Sequence, residues 1–100
     1  LGASEAWWSS AGMDGDLDIR RRKLRFRAWH RGTREADLLL GRFADAHLVA
    51  FGAGQLDRFE ALLNESDPDI YDWVTGRQTP PAALANDVVE LLRRFSNQAR

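Results

Sequence analysis

Apolar residues recur along this chain at helical intervals, and glycine or proline marks each interruption. Leu17, Leu24 and Ala28, joined by Ile19 or Trp29, fall on one helical face. Gly32 stands where a C′ terminator of that helix would sit. Thr33 can then cap a second helix, with Glu35 and Asp37 in the first turn, where the dipole favours acids. Leu39, Leu40, Phe43, Ala44, His47 and Leu48 give that helix a broad apolar stripe, which Phe51-Gly52-Ala53-Gly54 interrupts. Leu56, Phe59, Leu62 and Leu63 predict a third amphipathic helix of about three turns.

The fourth element begins at Ser66-Asp67-Pro68-Asp69, where Asp67 is expected as N-cap and Pro68 at the first helical position. It carries Ile70, Tyr71, Trp73 and Val74 and stops at Gly76. After Thr79-Pro80-Pro81 a last helix is expected over Leu84, Val88, Leu91, Leu92 and Phe95. No alternating strand pattern with hairpin turns is present. The expectation is therefore an all-α fold, a single small bundle of about five helices over residues 14–96, with 97–100 as a tail. Residues 1–13 read as a flexible lead or a remnant foreign to the domain; the alternative is that the paired indoles of Trp7 and Trp8 dock onto something. Residues 1–12 hold no Arg or Lys, unlike a secretory or Arg-rich transit segment.

Composition narrows the chemistry. One hundred residues close one core and not two. With no cysteine there is no disulfide framework, thiolate metal site or cysteine nucleophile. Two histidines, His30 and His47, exclude a three-histidine metal site. No apolar run is long enough to span a bilayer, and the expected location is cytoplasmic. The net charge of −1 conceals a polarity: Arg20, Arg21, Arg22, Lys23, Arg25, Arg27, Arg31 and Arg34 crowd one stretch, while residues 57–72 carry six acids against Arg58 alone. The basic run admits a solvated helix face, a protein-binding surface or a nucleic-acid contact; nucleic acid is disfavoured by the balanced total charge.

The remaining candidates are weak singly. His47 falls on the apolar side of its helix, as a core or boundary histidine would, and His30 abuts a turn at the surface; neither is assigned a catalytic role. Asp67, Asp69 and Asp72 lack the spacing of a calcium loop, and Gly52-Ala53-Gly54 is too short to cradle a phosphate. Arg31-Gly32-Thr33-Arg34-Glu35 combines a donor fork, a glycine that permits close approach and a carboxylate acceptor at a helix–helix corner. In isolation this is equally a capping glycine with solvated charges.

The context of that pentapeptide carries more. Arg21-Arg22-Lys23-Leu24, then Trp29-His30-Arg31-Gly32-Thr33-Arg34-Glu35-Ala36-Asp37-Leu38-Leu39-Leu40 and Gly41-Arg42-Phe43-Ala44, followed by Phe59-Glu60-Ala61-Leu62-Leu63, Asp67-Pro68-Asp69-Ile70 and Tyr71-Asp72-Trp73, stand in the order seen in one family. Over these blocks the sequence resembles the FAD assembly factors of succinate dehydrogenase, bacterial SdhE and mitochondrial assembly factor 2, which carry an Arg-Gly-x-x-Glu motif. Thr33 and Ala36 depart from the larger apolar residues common there, which alters local packing more than docking chemistry. Residues 1–12 have no recognised counterpart.

The resemblance implies a five-helix assembly factor and not an enzyme. It implies binding to the flavoprotein subunit of succinate dehydrogenase or fumarate reductase, and help with autocatalytic covalent attachment of FAD to a histidine of that subunit. Arg31, Gly32, Glu35 and the neighbouring Asp37 are the partner-binding residues that carry over. No metal, no stably bound cofactor, no nucleic acid and no membrane insertion are expected, and the chain is expected to be a monomer acting on the FAD of its client. A second reading, from a different class, is a small helical interaction or antitoxin-like regulatory module.

Overall fold

A computed structural model describes residues 2–98, with side chains described from residue 15 onward. Five helices follow one another: α1 (Gly2–Trp29), α2 (Arg34–His47), α3 (Ala53–Leu63), α4 (Asp67–Thr75) and α5 (Asp87–Gln98). Two 3-10 turns, Leu48–Ala50 and Ala82–Leu84, lie in the connections. No strand occurs among the described residues, so the all-α bundle expected from periodicity is the fold. Helix α1 is continuous from Gly2, with no break at the boundary expected between lead and domain. The side chains of Trp7 and Trp8 lie outside those described.

Phe43 of α2 is the hub of the core. Fully buried, it meets Phe59 and Phe95 at ring-centroid distances of 5.7 Å each and Phe51 at 6.1 Å. Leu24 and Ala28 of α1, Leu56 and Leu62 of α3, Ile70 and Trp73 of α4 and Val88 and Leu92 of α5 close around it. Every apolar position that set the helical period of α3 is buried. No polar or charged residue is buried among those described, so the bundle is held by apolar area and aromatic packing. His47 is half-buried at the rim, its ring 4.6 Å from Phe43 and 5.9 Å from Phe95, which is the boundary histidine expected.

Helices α1 and α2 pack antiparallel at one unusually close point. The Trp29 ring lies flat over Gly41, and a Cβ there would fall 2.2 Å from the indole. The indole N–H donates to Asp45 at 3.3 Å, and Arg25 Nε donates to the same carboxylate at 2.8 Å. A glycine inside a helix costs up to about 1 kcal/mol in propensity; here it makes room for a tryptophan.

Three helix ends differ from the sequence expectation. Gly32 is not at C′ but one position further, since α1 ends at Trp29 with His30 and Arg31 intervening; its φ of +108° still requires glycine. Helix α4 is capped by Ser66, whose hydroxyl accepts from the Asp69 N–H at 3.3 Å, in place of Asp67. The Asp67 carboxylate is held by Arg31 instead, which moves Pro68 to the second helical position. Leu84, buried as expected, sits on the 3-10 turn and not on α5. Asn86 starts α5 by accepting from the Val89 N–H at 3.1 Å. Thr33 and Gly76 act as read: Thr33 accepts from the Ala36 N–H, and Gly76 ends α4 at φ +81°.

Candidate functional site

The Arg-Gly-x-x-Glu segment forms the corner between α1 and α2, and its residues divide into two groups. Arg31 turns inward. Its Nε donates to Asp67 at 2.8 Å, one terminal nitrogen donates to the Leu63 carbonyl and the other to the Glu65 carbonyl at 2.6 Å. Leu63 is the last residue of α3, so its carbonyl has no partner within the helix. One planar guanidinium therefore closes the end of α3 and ties the α1–α2 corner to the start of α4. Only 12% of the Arg31 side chain is exposed. Asp37 completes the lock from the other side, accepting from the Arg31 backbone N–H at 2.6 Å.

Gly32 and Glu35 face outward. Gly32 is exposed, and nothing lies within 4 Å of where a Cβ would project. Its φ of +108° is strained for any L side chain. Thr33 and the Asp37 N–H to Thr33 carbonyl bond of 2.9 Å fix the first turn of α2. Arg34 and Glu35 are exposed on that turn, with no ion pair among the described residues.

A residue the sequence reading placed only among apolar positions joins the corner. Tyr71, half-buried on α4, has its phenol pushed above the ordinary tyrosine value, first by burial and then by the negative charges of Glu35 and Asp67. Its spacing of four from Asp67, on the same helical face, was the available signal. The corner is thus a small polar surface drawn from the α1–α2 turn and the first two turns of α4.

The other candidates resolve differently. Much of the basic run is engaged inside the molecule. Arg20 pairs with Asp57, and Arg27 bonds Asn64 at 2.7 Å and approaches Glu60 at 3.8 Å. Arg21 donates to the Leu48 and Phe51 carbonyls at 3.0 and 2.9 Å. The polarity between residues 20–34 and 57–72 is in large part the two sides of one helix–helix contact. His30 is exposed, its Nδ1 2.7 Å from the Phe26 carbonyl and its ring stacked on Phe26 at 3.9 Å. Among the described residues no group of three His, Asp or Glu could hold a metal ion. No described helix is long and apolar enough to cross a membrane.

The described residues thus form a small helical bundle with an apolar interior and one polar corner. Residues 22–96 match the family model described as flavinator of succinate dehydrogenase, and the chain belongs to that family. It is similar to the FAD assembly factor SdhE of Acetobacter pasteurianus, 40% identical over 93 residues that cover 92% of this chain and 83% of the relative. It is also similar to the mitochondrial succinate dehydrogenase assembly factor 2 of Danio rerio (35% over 92 residues, 90% of this chain, 57% of the relative). A third relative is the protein of the same name from Candida glabrata (48% over 86 residues, 85% and 56%). The chain spans a little over half the length of these two mitochondrial relatives.

Proposed function

We propose that this chain is a non-enzymatic assembly factor. It binds the flavoprotein subunit of succinate dehydrogenase, or of the related fumarate reductase, and promotes covalent attachment of FAD to a histidine of that subunit. The observation that carries the reading is the corner itself: an exposed glycine and carboxylate, Gly32 and Glu35, on a turn locked by Arg31 and Asp37. Family membership supplies the client class.

Covalent flavinylation requires the flavin and the histidine to be held in attacking geometry, with negative charge developing on the isoalloxazine ring and stabilised there. The client supplies those groups and carries out the bond formation autocatalytically; the assembly factor binds no cofactor of its own. Its contribution is to order the client's flavin-proximal segments. Gly32 lets a client backbone approach where any side chain would intrude, and the Glu35 carboxylate accepts a hydrogen bond there. Arg31, whose donors bond to Leu63, Glu65 and Asp67, acts by setting the corner's shape, as does Asp37. The factor works as a monomer in the aqueous compartment where the flavoprotein folds, the cytoplasm in a bacterium.

The test is reconstitution. Apo-flavoprotein, FAD and this protein are mixed with and without a dicarboxylate, and covalent flavin is read by in-gel fluorescence. Addition of the protein is expected to accelerate flavinylation, and Gly32→Arg or Glu35→Ala to abolish the acceleration. Full acceleration by both variants would remove the corner from the mechanism, and none by the native protein would remove the function.

A further inference from the structure

We propose that the outer face of α1, with the adjoining edge of α2, is a second docking surface: a groove that takes an acidic segment of the partner bearing one aromatic or aliphatic anchor. The inference rests on the reading of that partner as a flavoprotein subunit, and extends the contact away from the Gly32 corner.

Residues four apart on a helix share a face. Arg22 and Phe26 form one such row on α1, continued by His30 just past its end, and Arg25 and Trp29 form the next. Between α1 and the end of α2 lies an open groove of about 620 Å³, walled by Arg22 and Arg25 on one side and Leu48 and Val49 on the other. A second hollow of about 300 Å³, sharing Arg22 and Arg25, continues it past Phe26 and Trp29 to His30. Together they run along α1 to within two residues of Gly32.

Two observations define the occupant. The large apolar side chains that stay exposed among the described residues are Ile19, Phe26 and Val49, at 44%, 63% and 78%. Val49 lines the groove, Phe26 lines its continuation, and Ile19 lies seven residues before Phe26 on the same helical face. Phe26 is stacked on His30, which makes a flat aromatic platform ready for an apolar side chain.

The second observation is charge. The groove's carboxylates are already engaged, Asp18 by Arg21 at 2.8 Å and Asp45 by Arg25 at 2.8 Å. Arg22 on α1, and Arg42 on α2 three residues before Asp45, are exposed and make no ion pair among the described residues. Both are guanidinium groups, which suit carboxylates bidentately. The exposed Phe26 and Val49 beside these guanidinium groups would have no partner on a phosphate backbone, so an acidic, apolar-anchored protein segment fits the track better than RNA does.

Binding of the intact protein to the flavoprotein subunit, measured by biolayer interferometry at low and high salt, tests this. The variants are Phe26→Ser, Val49→Asp, the double change Arg22→Glu with Arg42→Glu, and Gly32→Arg as the corner control. Each groove variant is expected to bind on the order of tenfold more weakly, with an unchanged thermal midpoint because the replaced side chains are exposed. The double charge reversal should also flatten the salt dependence. A photoreactive benzoylphenylalanine in place of Phe26 should crosslink to an Asp- or Glu-rich stretch of the subunit. Groove variants that bind within about twofold of the native protein, while Gly32→Arg does not bind, would overturn the groove and leave the proposed function standing. A gel shift with RNA that depends on Arg22 and Arg42, without an effect on subunit binding, overturns it too. Absence of any binding by the native protein overturns both readings together.

Discussion

Arg31 and Gly32 are neighbours in one short motif, yet they do opposite things. Arg31 faces the protein, bonded to a carboxylate and two carbonyls across the α3–α4 junction. Gly32 faces outward, its surroundings empty. Asp37 belongs with the first and Glu35 with the second. The motif is therefore an internal clasp and an exposed pair of residues interleaved along the chain, the exposed pair being the proposed contact. Loss of activity on mutation does not by itself tell which half was hit; for Arg31 against Glu35, stability does.

The largest expected effect comes from breaking the clasp. Arg31→Ala leaves Asp67 and two carbonyls without their donor and should destabilise the fold by about 3 kcal/mol, seen as a fall in the thermal midpoint of roughly 10 °C or more. Arg31→Lys should recover little of it, because an ammonium cannot make the three-way fork. A midpoint unchanged in both would show that Arg31 is no clasp. Asp37→Ala removes a single charge-assisted bond and should cost about 1.5–2 kcal/mol in denaturant titration.

Gly32→Ala comes next, at about 1–2 kcal/mol from its positive φ alone, since a Cβ meets no neighbour. Glu35→Ala should shift stability by no more than about 0.5 kcal/mol while abolishing flavinylation; a large loss of stability would place Glu35 in the clasp instead.

The smallest effect is also the most local. Tyr71 is the only tyrosine in the chain, so ultraviolet titration of phenolate reads it alone. Its folded value is raised, so its contribution to stability is complete below the unfolded tyrosine value, near 10, and is lost as pH rises through the folded value. Glu35→Gln should lower the midpoint of that titration by removing one of the negative charges facing the ring, leaving burial and Asp67 as causes. An identical curve in the variant would separate Glu35 from Tyr71.

The helices were legible in the sequence because their faces repeat: Leu56, Phe59, Leu62 and Leu63 needed only their spacing to be placed. The ends were less so. Asp67 looked like a cap because the residue type suits it, and what displaced it was an arginine 36 positions away, which no local window contains. For the same reason the internal bonds of Arg31 and Asp37 are invisible in the sequence: donors and carboxylates look alike whether they meet the chain's own backbone or another protein. Gly32 was placed at a turn correctly because a left-handed residue is a local property. The pairing of the basic and acidic stretches across α1 and α3 is again a matter of tertiary contact, so their sum of charge was visible and their neutralisation of each other was not.

The clasp also makes the corner a gauge of completed folding. Its bonds join residue 31 to residues 63–67, so the turn between α1 and α2 takes its final shape only after α3 and the start of α4 have docked. Under the proposed function, a chain caught half-assembled, or one whose α3–α4 junction opens transiently, presents a client with a misshapen turn, and its apparent affinity falls in proportion to the closed fraction. Substitutions at that junction, remote from any client in sequence, are then expected to mimic loss of contact, and the client in turn favours factors that have finished folding.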